Sequence, residues 1–344
     1  MRVILKAEVF ASRYIKHLDL TALIKFGVDE RHLIQVEPAD ADELHNWLDK
    51  QSEDIREECE LAFAFGYRLD TDEYGQFSPF TIQVGCVNEA KWDQKEPLLP
   101  LDIALKFLSQ PFIIFVENRR NDSAFLRATA TGWGKQKLEK FLNEDWLKFE
   151  AGGGMGEILK YVEEISEQPE KYRRHFVLFD SDAKKPKMID KKSQKVVQAC
   201  SDKFICYHQL RRREIENYLP LAALWEWTKI HKQKDIRTSR RKQVDAFEKL
   251  FLKQRHHFDM KKGFQGDFKI KAGEKGTEKE HRLVGNFYQN VSTEIRIVLA
   301  QGFGNNIAEL FKEEQFPIKK EWLHNDNSLI LELEPMLERL LSLV

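Results

Sequence analysis

Between Pro111 and Tyr207, short unbroken apolar runs alternate with stretches whose hydrophobic positions recur every three to four residues. The runs are Phe112 to Val116 (FIIFV), Leu147 to Glu150 (LKFE), His175 to Phe179 (HFVLF) and Lys203 to Tyr207 (KFICY). Continuous apolarity is the mark of strands buried on both faces, and parallel strands need crossover helices. The stretches between, at about 122–143, 155–167 and 191–201, have the helical period. The region therefore predicts β-α-β-α-β-α-β, an α/β fold with a parallel four-stranded sheet and flanking helices.

The flanks have other patterns. RVILKAEVF near the N-terminus reads as a strand, followed by helical spacing at about 11–26 and 41–63, which predicts a small α/β or α+β domain. KWDQKEPLLPLD, with Pro97 and Pro100, marks its boundary. After Pro220, LAALWEWTKI, AFEKLFLKQ, VSTEIRIVLAQGF and MLERLLSLV have helical spacing, and the Gly- and Lys-rich stretch from Lys261 to Gly276 predicts a loop. The expected domains are 1–105, 106–219 and 220–344, the last a mainly helical extension.

With 42% hydrophobic and 32% charged residues, the composition is that of a globular protein. No run approaches the roughly 18 apolar residues of a membrane helix, and MRVILKAEVFASRY lacks the apolar core and cleavage site of a secretory signal, so a cytoplasmic protein is expected. Cys59, Cys86, Cys200 and Cys206 form no C-x-x-C pair, and Cys200, Cys206 and His208 read as core or surface groups rather than metal ligands.

Charge divides the chain. Its net value is −1, yet between Arg211 and Arg282 there are 20 lysines and arginines against 11 aspartates and glutamates. The densest pieces are KIHKQKDIRTSRRK (229–242) and KQRHHFDMKK (253–262), clusters that can bind phosphate backbones by releasing counterions, or else form a solvated surface. Candidates for binding nucleic acid in this way are Lys184, Lys185, Arg211, Arg212, Arg213, Arg240, Arg241 and Lys242. The acidity of the N-terminal domain suggests a protein partner instead.

In open α/β sheets, functional groups gather where loops leave the carboxyl ends of the strands. Glu117 directly follows FIIFV, Gly152–Gly154 follow LKFE, and Asp180-Ser181-Asp182 follow HFVLF. Three neighbouring loops would then bring a Glu and an Asp pair to one sheet edge. Carboxylates crowded together repel one another unless a hard cation lies between them, and Mg²⁺ or Mn²⁺ prefers such oxygens. Two ions about 4 Å apart could clamp the attacking and leaving oxygens of a phosphodiester. Alone, Asp-Ser-Asp is also ordinary turn chemistry.

FVEN (115–118), GGG (152–154) and FDSD (179–182) resemble the Toprim domain of bacterial primases, topoisomerases and OLD-family nucleases, over about 110 residues. RRREIENYLP (211–220) resembles the Arg-Glu-x-Glu-Asn-Tyr element of OLD-type nucleases and related antiphage-defence effectors, which primases and topoisomerases lack. The resemblance implies a Rossmann-like Toprim sheet, with Glu117, Asp180, Asp182 and Glu216 catalytic and two Mg²⁺ or Mn²⁺ ions as cofactor. Asp122 is one position from the second acid of the family's E-G-x-x-D pattern, and Asn118 replaces its Gly. Glu214 is the alternative to Glu216. Pro220 disfavours helix at Leu219, so the Glu216 segment should be a turn or short extended piece. Lys184 and Lys185 are placed to steady developing phosphoryl charge, or else face solvent.

OLD-family chains commonly include an ATPase, but no G-x-x-x-x-G-K-[ST] occurs, and TATGWGKQK (129–137) lacks its first Gly and its hydroxyl. A separate ABC-type ATPase partner is therefore expected. A topoisomerase is not expected, since it needs a nucleophilic Tyr on a large second module for which these residues offer no obvious room. The leading expectation is a metal-dependent endonuclease, DNA being favoured over RNA, acting as an antiphage effector. The alternatives are a Toprim ribonuclease on tRNA or other structured RNA, and a non-catalytic subunit that binds nucleic acid or an ATPase. A HAD-type phosphatase with Asp180 as nucleophile would leave Glu117 without a task.

Overall fold

The computed structural model describes residues 1–68, 78–268 and 284–344. Two parallel four-stranded sheets form the α/β part. The first contains β1 (Arg2–Leu5), β2 (Leu33–Val36), β3 (Thr81–Val84) and β4 (Leu98–Leu99) in the order β2-β1-β3-β4. The second contains β5 (Phe112–Val116), β6 (Leu147–Ala151), β7 (His175–Phe179) and β8 (Cys206–Gln209) in the order β6-β5-β7-β8. Ile114 is in register with Phe149 on one side and Phe176 on the other. β5 and β7 are buried at every position, whereas β6, at the edge, alternates and exposes Lys148 and Glu150.

The N-terminal sheet is wholly parallel, which makes this part α/β, and three of its strands are absent from the sequence-based expectation. RVILKAEVF is a strand only as far as Leu5 and continues as the helix Ala7–Ala11. The helix expected at 11–26 is His17–Val28, and that at 41–63 divides into Ala41–Leu48 and Glu53–Arg68. β2 lies at a sheet edge, where the Tyr67 hydroxyl donates to Val36 O and accepts from Val36 N–H.

In the second sheet, the single helix expected at 122–143 is broken into Arg119–Thr129 and Gly132–Asn143, with Gly132 in the left-handed region at φ +55°. The last strand begins at Cys206 rather than Lys203, because Phe204 turns the chain at φ +57°. The other crossover helices are Met155–Ile165 and Lys191–Asp202.

Beyond Pro220 the longer helices are Leu221–Trp227, Lys234–Glu248 and Asn327–Leu343. The stretch expected as a loop from Lys261 is a turn at Lys261 and Lys262 and helical over Gly263–Phe268, and 269–276 lies outside the described residues. The three segments share one apolar core, reaching from Met1 and Val3 through Phe112 and Phe176 to Leu340 and Leu341. The helix Leu101–Ser109 runs across position 105 and delivers the chain to β5.

Candidate active site

β5 and β7 lie side by side at the centre of their sheet, and the chain leaves them towards opposite edges, to β6 and to β8. Loops diverging in this way leave a crevice at the carboxyl ends of the two strands. Here it is a cleft of about 360 Å³ onto which Glu117, Asp122, Asp180, Asp182, Glu214 and Glu216 all face, with Asn118, Asn121, Gly153, Asp259, Lys261 and Lys262 completing the wall.

Local chemistry fixes each acid. The Asn118 side chain caps the helix Arg119–Thr129 by accepting from Arg120 N–H and Asn121 N–H, and Asn118 N–H donates to Asp122 Oδ2 at 2.8 Å. Asn118 is thus a helix cap that also holds Asp122. After β6, Gly153 N–H donates to Glu117 O at 3.2 Å, and Gly153 and Gly154 take φ of +87° and +138°. These values suit glycine alone and start the helix Met155–Ile165 beside Glu117. A Cβ at position 154 would lie 4.0 Å from Glu117 Oε1.

After β7, Asp180 Oδ1 accepts from Ile215 N–H at 3.1 Å, Ser181 Oγ donates to Arg212 O at 2.7 Å, and Asp182 N–H donates to Arg213 O at 2.9 Å. Asp182 is left-handed at φ +49°, a conformation Asp tolerates better than most residues. The Asp-Ser-Asp turn is thereby fastened along the segment that brings in Glu214 and Glu216. Ile215–Tyr218 is one 3₁₀ turn and Leu219 is extended. Asn217 Nδ2 donates to Arg255 O and Phe258 O, and the Tyr218 hydroxyl donates to Glu332 Oε2 at 2.7 Å. Asn217 and Tyr218 peg the turn to the C-terminal helices while the two glutamates line the cleft.

Crowding and burial perturb every acid whose shift is resolved. Burial, helped by Asp182 and Asp122, pushes Glu117 up to about 7. Burial raises Asp122 to about 6 against the backbone donors that favour its charge. Glu216 is raised by burial to about 7, with Lys261 opposing. Asp180 lies well above the usual carboxylate range through burial and the nearby Glu216 and Asp122, and Asp182 is raised by burial and Glu214.

Lys261 Nζ sits 3.2 Å from Glu214 Oε2 and 3.1 Å from Glu216 Oε1. Burial would pull its pKa down, but Glu214, Glu216 and Asp180 outweigh that and hold it above the ordinary lysine value. Seven carboxyl groups, Asp259 included, face the cleft against two cations, Lys261 and Lys262. The donor set suits a hard divalent cation, and Glu216 Oε2 is buried without a hydrogen-bond partner. In the present side-chain positions, no three acid, histidine or cysteine groups among the described residues converge closely enough to hold a metal.

The basic residues expected to bind nucleic acid divide into two groups. Arg212 and Arg213 are buried and committed internally, which corrects that expectation for both. Arg212 donates to Asp326 Oδ2, Ser328 Oγ and Asn217 O, and its guanidinium lies over the Tyr218 ring. Arg213 donates to both oxygens of Asp267 at 2.8 Å and to Asp259 Oδ2 at 3.1 Å. Arg211, Arg241 and Lys242 are exposed, Lys184 and Lys185 half-buried, and Arg240 stacks on Trp227 at 4.2 Å.

Sequence reasoning missed Lys261, Lys262 and Asp259, whose DMKK string is hidden within a longer basic run. Asp259 Oδ1 accepts from the N–H groups of Lys261 and Lys262, so the pair Arg213–Asp259 shapes the turn that presents Lys261. Of the cysteine trio, Cys200 is buried in an apolar cluster and His208 bonds to Glu332.

No family model, no curated protein and no solved structure matches this chain. Among the described residues, no helix is long and apolar enough to cross a membrane.

Proposed function

We propose that the protein is a Toprim-type, divalent-metal-dependent nuclease that hydrolyses phosphodiester bonds, working as an antiphage effector with a separate ABC-type ATPase. The observation that carries this reading is the meeting of six acids from three separate segments at the carboxyl ends of β5 and β7. The Toprim and OLD resemblance supplies the particular chemistry and the partner.

Glu117, Asp180 and Asp182, with Asp122, Glu214 and Glu216, would hold Mg²⁺ or Mn²⁺, which when bound activates water and neutralises phosphoryl charge. The protein's own residues set the stage. Gly153 holds the backbone of Glu117, Asn118 holds Asp122, the Ile215 N–H orients Asp180, and Lys261 offers a fixed positive charge to the phosphoryl oxygens as negative charge builds on them. Hydrolysis forms one P–O bond from water and breaks that to the leaving sugar oxygen, which takes a proton.

One observation favours a non-catalytic binding subunit instead: Lys261 already supplies a cation to Glu214 and Glu216. Incubation with plasmid DNA and total RNA in Mn²⁺, with and without any ABC-type ATPase found encoded beside it, separates the two readings and the two polymers. Cleavage lost in Glu117→Gln and Asp180→Asn supports the nuclease. Cleavage that survives both substitutions excludes this site, and calorimetry without Mn²⁺ binding supports the binding subunit.

A further inference from the structure

A second concavity, of about 330 Å³, shares no residue with the acidic cleft and is lined by Thr228, Lys229, Lys234, Arg237, Thr238 and Arg241. Four of the six are cations and none is an acid. Lys234, Arg237 and Arg241 follow one another at three- and four-residue spacing on the helix Lys234–Glu248, so they share a face, and further along the helix Val244 and Phe247 are buried in the core. Lys229 reaches the same hollow from the turn before the helix. Between 228 and 241 the cations far outnumber the single acid, Asp235.

The commitments of these groups are few. Arg237 Nη1 donates to the carbonyls of His231 and Lys232, which fixes its guanidinium without neutralising it. Among the described residues, Lys234, Arg237 and Arg241 have no carboxylate partner, and only Lys229 does, to Glu226 at 2.6 Å. The two threonine hydroxyls donate to the carbonyls of Trp225 and Lys234, which leaves recognition to the cations. Like charges gathered around a concavity whose lining includes no acid suit phosphate oxygens.

The helix is also tied to the acidic cleft's wall. Gln243 donates to Gly302 O at 3.0 Å, Phe303 N–H donates to Met260 O at 2.7 Å, and Gly304 N–H donates to Lys261 O at 3.2 Å.

We propose that this hollow is a second phosphate site, which grips the backbone of the polynucleotide apart from the bond that is cut. The proposal rests on the nuclease reading and names how its substrate is held. A polynucleotide is favoured over a free nucleotide because the cations are strung along about 10 Å of helix, from Lys234 to Arg241, instead of closing over one phosphate group.

The test is fluorescence anisotropy of labelled single-stranded DNA and RNA 20-mers, in EDTA to prevent turnover, across a salt series. The variants are Lys234→Gln/Arg241→Gln and Lys234→Glu/Arg241→Glu, both at exposed positions. Should the charge-reversed pair misfold, the neutral pair decides. With two phosphate-binding cations removed, the slope of log affinity against log salt should become shallower by about 1.4, with affinity down about tenfold or more near 0.1 M salt. Unchanged affinity and slope would overturn the site. So would loss of inorganic triphosphate binding while the 20-mers bind as before, since that marks a nucleotide pocket. A wild type that binds neither 20-mer sinks the nuclease reading as well, whereas normal wild-type binding with an unchanged slope in the variants sinks this site alone.

Discussion

Replacing Glu117 by Gln should make the metal-free protein more stable, and only above the ordinary carboxylate range of pH. The carboxyl titrates at about 7 in the fold against 4.5 unperturbed, chiefly because it is buried and then because Asp182 and Asp122 face it. One pKa unit corresponds to about 1.4 kcal/mol, so keeping Glu117 ionised costs the native state about 3 kcal/mol. The folded pKa is the higher of the two. Between pH 4.5 and 7 the native protein therefore holds more protons than the unfolded chain, and this contribution destabilises progressively as pH rises. Gln has nearly the same shape and cannot ionise, so the variant escapes the whole effect.

The expected gain is near zero at pH 4.5 and about 3 kcal/mol at pH 8. For 344 residues, an unfolding entropy of about 2.1 cal/mol/K per residue converts this to about 4 °C in Tm. Thermal unfolding in EDTA at the two pH values is the assay. Equal Tm values at pH 8, or the same gain at both pH values, would refute the claim that ionising the buried Glu117 destabilises the fold. Saturating Mn²⁺ should narrow the difference at pH 8 by relieving the wild type.

Arg213→Ala should cost about 3–5 kcal/mol in urea unfolding, because Asp259 and Asp267 would be left buried without their shared cation. Arg213→Lys should recover only part of this, and a loss below about 1 kcal/mol would contradict the pairing. His175 and His257 are both driven down to about 4, first by burial, so their ring resonances should show no midpoint near 6.5 in an NMR titration. Because the unfolded chain takes up those protons first, these two contributions are intact above pH 6.5 and are lost as pH falls towards 4.

Elements that follow from apolar rhythm form close to where the sequence puts them: FIIFV and HFVLF are buried on both faces and leave no alternative register. What the rhythm misses are short strands whose burial is decided by distant partners. LIQV and TIQV are four-residue runs with a polar Gln inside, and each becomes a strand because β1 lies beside it. Helix breaks were hidden for a related reason. The apolar period continues across Ala130–Thr131, and only the left-handed Gly132 reveals the interruption.

At the site, position along the chain is enough to locate Glu117, Asp180 and Asp182, since a residue directly after a central parallel strand must emerge at that sheet edge. The same reasoning fails for arginines. Arg212 and Arg213 belong to a basic string that reads as surface, yet the string is pinned between the Asp-Ser-Asp turn and the C-terminal helices, and a buried guanidinium there survives because Asp326, Asp259 and Asp267 come from segments 46 or more residues away. Lys261 is the converse case. Local composition gives it no distinction from Lys262, and its position between two glutamates arises only when Arg213, through Asp259, sets the turn. Linear charge counts thus find a basic region but cannot separate the cations that complete the acidic cleft from those without a carboxylate partner among the described residues on the helix Lys234–Glu248, and that separation decides which lysines and arginines remain available to an anionic ligand.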